Sequence, residues 1–127
     1  MQPDFLTEQV IGAAIAVHRH LGPGLLESAY HRCIIVELID RKLKFEVNKP
    51  LTLVYKSVRM DGVYKMDLVI EKMLVIELKS VERLEKVHIS QLLTYLKLGN
   101  YPLGLLLNFN VPIMKDGIRR ITNNAMK

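Results

Sequence analysis

The stretch Met66-Asp67-Leu68-Val69-Ile70-Glu71-Lys72-Met73-Leu74-Val75-Ile76-Glu77-Leu78-Lys79 constrains the fold more than any other. Two apolar runs of strand length flank a polar Glu71-Lys72 break, the pattern of a β-hairpin. Side chains alternate faces along a strand. Leu68 and Ile70 therefore share one face of the first run, and Leu74, Ile76 and Leu78 share one face of the second. Burial sets register, so these two faces must coincide. A two-residue turn would pair Ile70 with Met73 and Asp67 with Ile76, putting Glu77 and Lys79 on the face of Leu68 and Ile70. A three-residue loop, Glu71 to Met73, pairs Ile70 with Leu74 and Leu68 with Ile76, and sets Asp67 opposite Glu77. One face then holds Leu68, Ile70, Leu74, Ile76 and Leu78; the other holds Asp67, Val69, Val75, Glu77 and Lys79. A loop of another odd length, or a bulge, keeps this facing with an offset.

The hydrophobic pattern thus gathers two carboxylates and a lysine on one face. Carboxylates a cross-strand distance apart repel unless a cation joins them. Mg²⁺ prefers oxygen ligands and is usually held by one or two carboxylates plus water. A bound divalent ion helps generate hydroxide and polarises a phosphoryl oxygen. Lys79, two residues from Glu77, points to the same side. It can orient the attacking water or stabilise charge developing on phosphate. The plain alternative is a solvated strand face with a cross-strand Lys–Glu pair, because a D…ExK pattern alone is common.

The rest of the chain supplies a mixed α/β sandwich with its sheet between helices. Thr7 to Leu21 has a helical apolar stripe of Val10, Ile11, Ala14, Ile15, Val17 and His18, with Thr7 as the expected cap. Gly22-Pro23-Gly24 breaks it, and a second, well-buried helix is expected from about Leu25 to about Lys42. Lys44 to Asn48 and Leu51 to Tyr55 read as strands separated by Pro50, and Val58 to Ile70 contains an Asp61-Gly62 turn signal. A third helix, about Lys86 to Leu98, ends at Gly99-Asn100. It is long enough to cross over into a buried strand at Leu103–Phe109. Lys115-Asp116-Gly117 marks a turn before a short last strand, Ile118 to Ile121.

Composition narrows the classes. The chain of 127 residues is half hydrophobic and 24% charged, enough apolar material for one packed domain, 1–127. No apolar run reaches the ~20 residues that span a bilayer. The N-terminus lacks a basic start followed by an apolar stretch, so a cytoplasmic protein without membrane attachment is expected. One cysteine, Cys33, allows neither an internal disulfide nor a cysteine zinc site. The net charge of +5 suits an anionic partner such as nucleic acid. No glycine-rich phosphate loop, nucleophile elbow or zinc signature argues for another enzyme class.

Further motifs join the hairpin. Gly24-Leu25-Leu26-Glu27-Ser28-Ala29-Tyr30 is a G-x-x-E-x-x-Y run, and Gln91-Leu92-Leu93-Thr94-Tyr95 is a Q-x-x-x-Y run. With Asp67 and Glu77-Leu78-Lys79, the chain resembles the GxxExxY protein family, which belongs to the PD-(D/E)XK nuclease superfamily. The likeness extends from Ile11-Gly12-Ala13-Ala14 to Asp116-Gly117-Ile118-Arg119-Arg120. It implies a restriction-endonuclease-like three-layer core, a mixed sheet flanked by helices. It also implies metal ligation by Glu27, Asp67 and Glu77, with the Leu78 carbonyl as a further ligand, Mg²⁺ or Mn²⁺ as the ion, and Lys79 as the catalytic lysine. Gln91 and Tyr95 would contact substrate or brace the site. The superfamily's proline before the aspartate is Met66 here.

Read without the family, these extra residues have simpler roles. Gln91 and Tyr95 are i and i+4, on one helix face, where Tyr95 can be core and Gln91 can cap a backbone group. Glu27, in a first helical turn, is favoured by the helix dipole alone. His18 reads as a satisfied core histidine and makes a poor metal pair with His20, while His31 and His88 read as surface residues or residues behind the site. The expected activity is metal-dependent hydrolysis of DNA or RNA phosphodiester bonds, with low sequence specificity or with specificity supplied by a partner protein or homo-oligomer. The alternative is a non-catalytic module that keeps the fold and binds nucleic acid or protein.

Overall fold

A computed structural model describes residues 2–126. Helix α1 (Pro3–Leu21) starts one turn earlier than the expected Thr7. Proline suits a first helical turn because its missing N–H would have no partner there. Thr7 is not a cap: it is buried, and its hydroxyl donates to the Pro3 carbonyl at 2.9 Å. Helix α2 spans Glu27–Asp40. Strands β1 (Phe45–Tyr55), β2 (Val58–Ile70) and β3 (Leu74–Lys79) follow, then α3 (Lys86–Gly99), β4 (Leu103–Asn108), a 3₁₀ turn (Met114–Gly117), β5 (Ile118–Thr122) and a last 3₁₀ turn (Asn124–Met126).

The five strands lie in sequence order, β1-β2-β3-β4-β5. Only β3 and β4 are parallel, as the crossover through α3 requires; the other neighbours are antiparallel. Each sheet face builds its own core. Leu68, Ile70, Leu74, Ile76 and Leu78 pack under α1 and α2 with Leu6, Val10, Tyr30 and Ile34. Val69, Val75 and Leu106 pack under α3 with Leu92, Tyr95 and Leu96. Helix α3 sits close on the sheet because β4 carries Gly104: a Cβ there would meet the Leu92 side chain at 3.0–3.1 Å. Asn100, in the left-handed conformation, ends α3 as a cap.

The hairpin loop has the expected three residues. Ile70 pairs with Leu74, Val69 with Val75 and Leu68 with Ile76, while Glu71 and Lys72 turn at positive φ. Two expectations upstream fail. Pro50 does not divide a pair of strands: β1 runs through it, because β1 is an edge strand where a missing N–H leaves no bond broken. Asp61-Gly62 is not a hairpin turn. The turn is Lys56-Ser57, both at positive φ as a tight two-residue connection demands. Gly62 (φ 72°) instead lies in a bulge, where pairing jumps from Leu51–Tyr64 to Thr52–Asp61. The result is a long β1–β2 arm reaching past the third strand.

Candidate active site

The β2–β3 ladder stops at Leu68–Ile76, one residue short of Asp67 and Glu77. Beyond it the strands exchange side chains for ladder bonds. The Asp67 N–H donates to Glu77 Oε2 at 2.7 Å, and the Leu78 N–H donates to Asp67 Oδ2 at 2.8 Å. Each carboxylate is thus held on the other's strand, and each keeps one oxygen outside these two bonds. Backbone strain gathers opposite the same point: β1 pairs Val47 with Leu68 and Lys49 with Met66, and the residue between, Asn48, has φ 50°. Face alternation also breaks here, since Met66 packs on the α3 side although Leu68 packs under α1 and α2.

Helix α2 brings the remaining acid. Asp67 and Leu78 line a cleft of about 270 Å³ with Glu27, Ser28 and His31. Tyr30 fixes this end of α2. Its hydroxyl donates to the Gly22 carbonyl at 2.6 Å and accepts from the Leu25 N–H at 3.1 Å, while its ring stacks on Phe109 at 4.4 Å. Ser80 ties the end of β3 to the same loop by donating to the Leu25 carbonyl at 2.6 Å. Of the two places expected for His31, at the surface or behind the site, the structure has the second: its Nε2–H donates to the Asp67 carbonyl at 3.2 Å. The signal was present in the sequence, because Glu27 and His31 are i and i+4 and must share a helix face. His18 is the buried, satisfied histidine expected of it, donating to the Val111 carbonyl at 2.7 Å. His88 accepts the Glu85 N–H through Nδ1 at 2.9 Å and caps α3.

The electrostatics show that these groups share one environment. Glu77 is 5% exposed. Burial, then the Asp67 carboxylate, push its pKa up to about 8, against the opposing Asp67 N–H bond and Lys79. Burial also lifts Glu27, with Lys79 opposing and Asp67 adding to the rise. Tyr95 is pushed up to about 12 by burial and by Glu77, Tyr64 and Asp67. Lys79 forms no ion pair among the described residues, yet it lies within electrostatic reach of both glutamates. Gln91 sits one turn before Tyr95 on α3, half-buried, with no side-chain hydrogen bond among the described residues.

Carboxylates and a carbonyl are hard oxygen donors, a set that fits Mg²⁺ or Mn²⁺. One oxygen each of Asp67 and Glu77 is turned onto a backbone N–H, and among the described residues no three His, Cys, Asp or Glu groups are gathered closely enough to form a cage. The mixed sheet between helix layers, with acids at the point where two strands part, defines a nuclease-type fold of the restriction-endonuclease kind. The chain belongs to the PD-(D/E)XK nuclease superfamily, whose family model matches residues 4–121. No curated protein and no solved structure matches it.

Proposed function

We propose that the chain is one nuclease-like domain, of the GxxExxY kind, that hydrolyses nucleic-acid phosphodiester bonds with a divalent cation, Mg²⁺ or Mn²⁺. The reciprocal bonding of Asp67 and Glu77 across the parted strands carries this reading, because it brings two carboxylates together where the β2–β3 ladder ends and leaves each with one oxygen outside these bonds. Asp67, Glu77, Glu27 and the Leu78 carbonyl would hold the ion; when bound, it supplies Lewis acidity and lowers the pKa of a water. Lys79 orients the nucleophile and stabilises charge on the phosphate. His31 holds the Asp67 peptide in place. Tyr95, buried within electrostatic reach of Glu77, would brace the site, and Gln91, half-buried one turn before it on α3, would contact substrate or brace the site with it. A partner protein or a second copy would supply sequence specificity, and a cytoplasmic location agrees with the absence, among the described residues, of any helix long and apolar enough to cross a membrane.

The test is cleavage of end-labelled DNA and RNA in Mg²⁺ and in chelator. Wild type should cut only with metal. Glu77→Gln and Lys79→Ala should each lose about 10²-fold or more, the scale seen when a charge-stabilising group is removed. Activity that survives both substitutions unchanged contradicts the proposal. The open arrangement of the carboxylates favours one second reading, a binding module that keeps the fold. Salt-dependent binding without cleavage, indifferent to chelator, is its signature.

A further inference from the structure

The β1–β2 arm has a feature that phosphodiester cleavage does not use. Residues 49–66 hold Lys49, Lys56, Arg59 and Lys65 against Asp61, four cations to one carboxylate and so +3 of the chain's +5. The β2–β3 pairing stops at Leu68, so β3 does not cover this part of β2. Leu51 and Tyr64 are direct partners across the arm. Leu51 is buried against the α3 side, but Tyr64 is 42% exposed. The Tyr64 ring lies 5.8 Å from that of Tyr95, tilted by 48°. Tyr95 is buried with Met66, Val69 and Val75. Tyr64 is therefore the solvent-facing half of an aromatic pair, three residues from Asp67, with Lys65 between.

We propose that Tyr64 is a stacking platform for an unpaired nucleobase, through which the arm selects single-stranded nucleic acid for the acidic cleft. The inference rests on the nucleic-acid reading of that cleft. In a duplex the faces of each base are covered by its neighbours, so an exposed ring finds a partner only in an unstacked base. Aromatic rings that stack bases beside cations that follow the phosphates are the usual means of holding single strands. Arg59 is engaged by Asp61 and Lys49 by Glu46, which leaves Lys56 and Lys65 as the arm's cations outside ion pairs among the described residues. A second copy seated on the arm is the competing occupant, and it would bring two +3 arms together.

The experiment measures binding of the full chain, metal-free, to a fluorescent oligothymidylate and to a duplex of equal length. Tyr64→Ala and Tyr64→Leu should weaken single-strand binding about tenfold, the scale of one lost base stack. Tyr64→Phe should stay within about threefold, because the ring remains. Lys65→Ala should flatten the salt dependence by about one unit of slope. The leucine variant keeps apolar bulk, so the test survives if the alanine variant does not fold. Single-strand binding unchanged in both the alanine and leucine variants, tighter binding of the duplex, or a concentration-dependent dimer that Tyr64→Leu abolishes would each overturn the inference while leaving the nuclease reading intact. A wild-type chain that binds neither oligonucleotide overturns the inference, and cleavage in Mg²⁺ then decides the nuclease reading separately. Tyr64-dependent binding without Mg²⁺-dependent cleavage keeps the inference and removes the catalytic reading.

Discussion

Glu27 lies in the first turn of α2, where a helix end would ordinarily be free to fray, and Tyr30 holds it there. The tyrosine hydroxyl closes the preceding loop through Gly22 and Leu25, and the ring is fully buried against Phe109. Tyr30→Phe should cost about 1 kcal/mol in urea unfolding, since it removes hydrogen bonds but leaves the stack. A cost near zero would mean that water replaces the hydroxyl freely. Glu77 makes a second residue-level prediction. A carboxyl whose folded pKa stands above its unfolded value binds its proton more tightly in the folded chain. With 4.5 as the ordinary value and about 8 in the fold, that contribution is complete below about pH 4.5 and is lost as pH rises through about 8. The metal-free chain should therefore be less stable at about pH 9 than at about pH 6, and Glu77→Gln should reduce the difference. Identical pH dependence in the two chains would contradict the assigned burial of Glu77.

Among the elements, β2 and β3 carry the paired acids and Lys79, and Asn108 joins the end of β3 to that of β4. It pairs with Lys79 in the parallel register and is 1% exposed. Its Oδ1 accepts from the Val81 N–H at 3.1 Å and its Nδ2 donates to the Val81 carbonyl at 3.0 Å, so the chain just past Lys79 is fastened on both groups. Asn108→Ala strands both, and should cost about 1–3 kcal/mol in denaturant unfolding and loosen Lys79. Little change in stability together with full cleavage would remove this bracing role. Element order, the three-residue loop and the crossover were all legible in the sequence, because each follows from apolar period and parity. The arm was not. Pro50 and Asp61-Gly62 break strands in most settings, and only the edge position of β1 and the bulge at Gly62 make them compatible with continuous pairing. Those conditions belong to the sheet and are invisible from local residues.

For the molecule as a whole, the sheet separates two apolar cores, and the acids sit where it opens. Parity placed Asp67 and Glu77 side by side from sequence alone. It missed two things: that the strands part there, with side chains in place of ladder bonds, and that His31 reaches Asp67 from α2. The parting belongs to the pairing of two whole strands, and the spacing of Glu27 and His31 tells that they share a helix face but not what that face meets. The roles of Glu27 and Tyr95 came from the family likeness; the fold sets Glu27 in the cleft with Asp67 and puts Tyr95 within reach of Glu77. Calorimetric titration of the chain with Mn²⁺ is the most direct measure of whether these acids form one metal centre. Binding that Asp67→Asn and Glu77→Gln each weaken at least about tenfold is the predicted result, with a comparable loss of cleavage. Absence of Mn²⁺ binding by a folded wild-type chain, or binding that neither substitution alters, would contradict it.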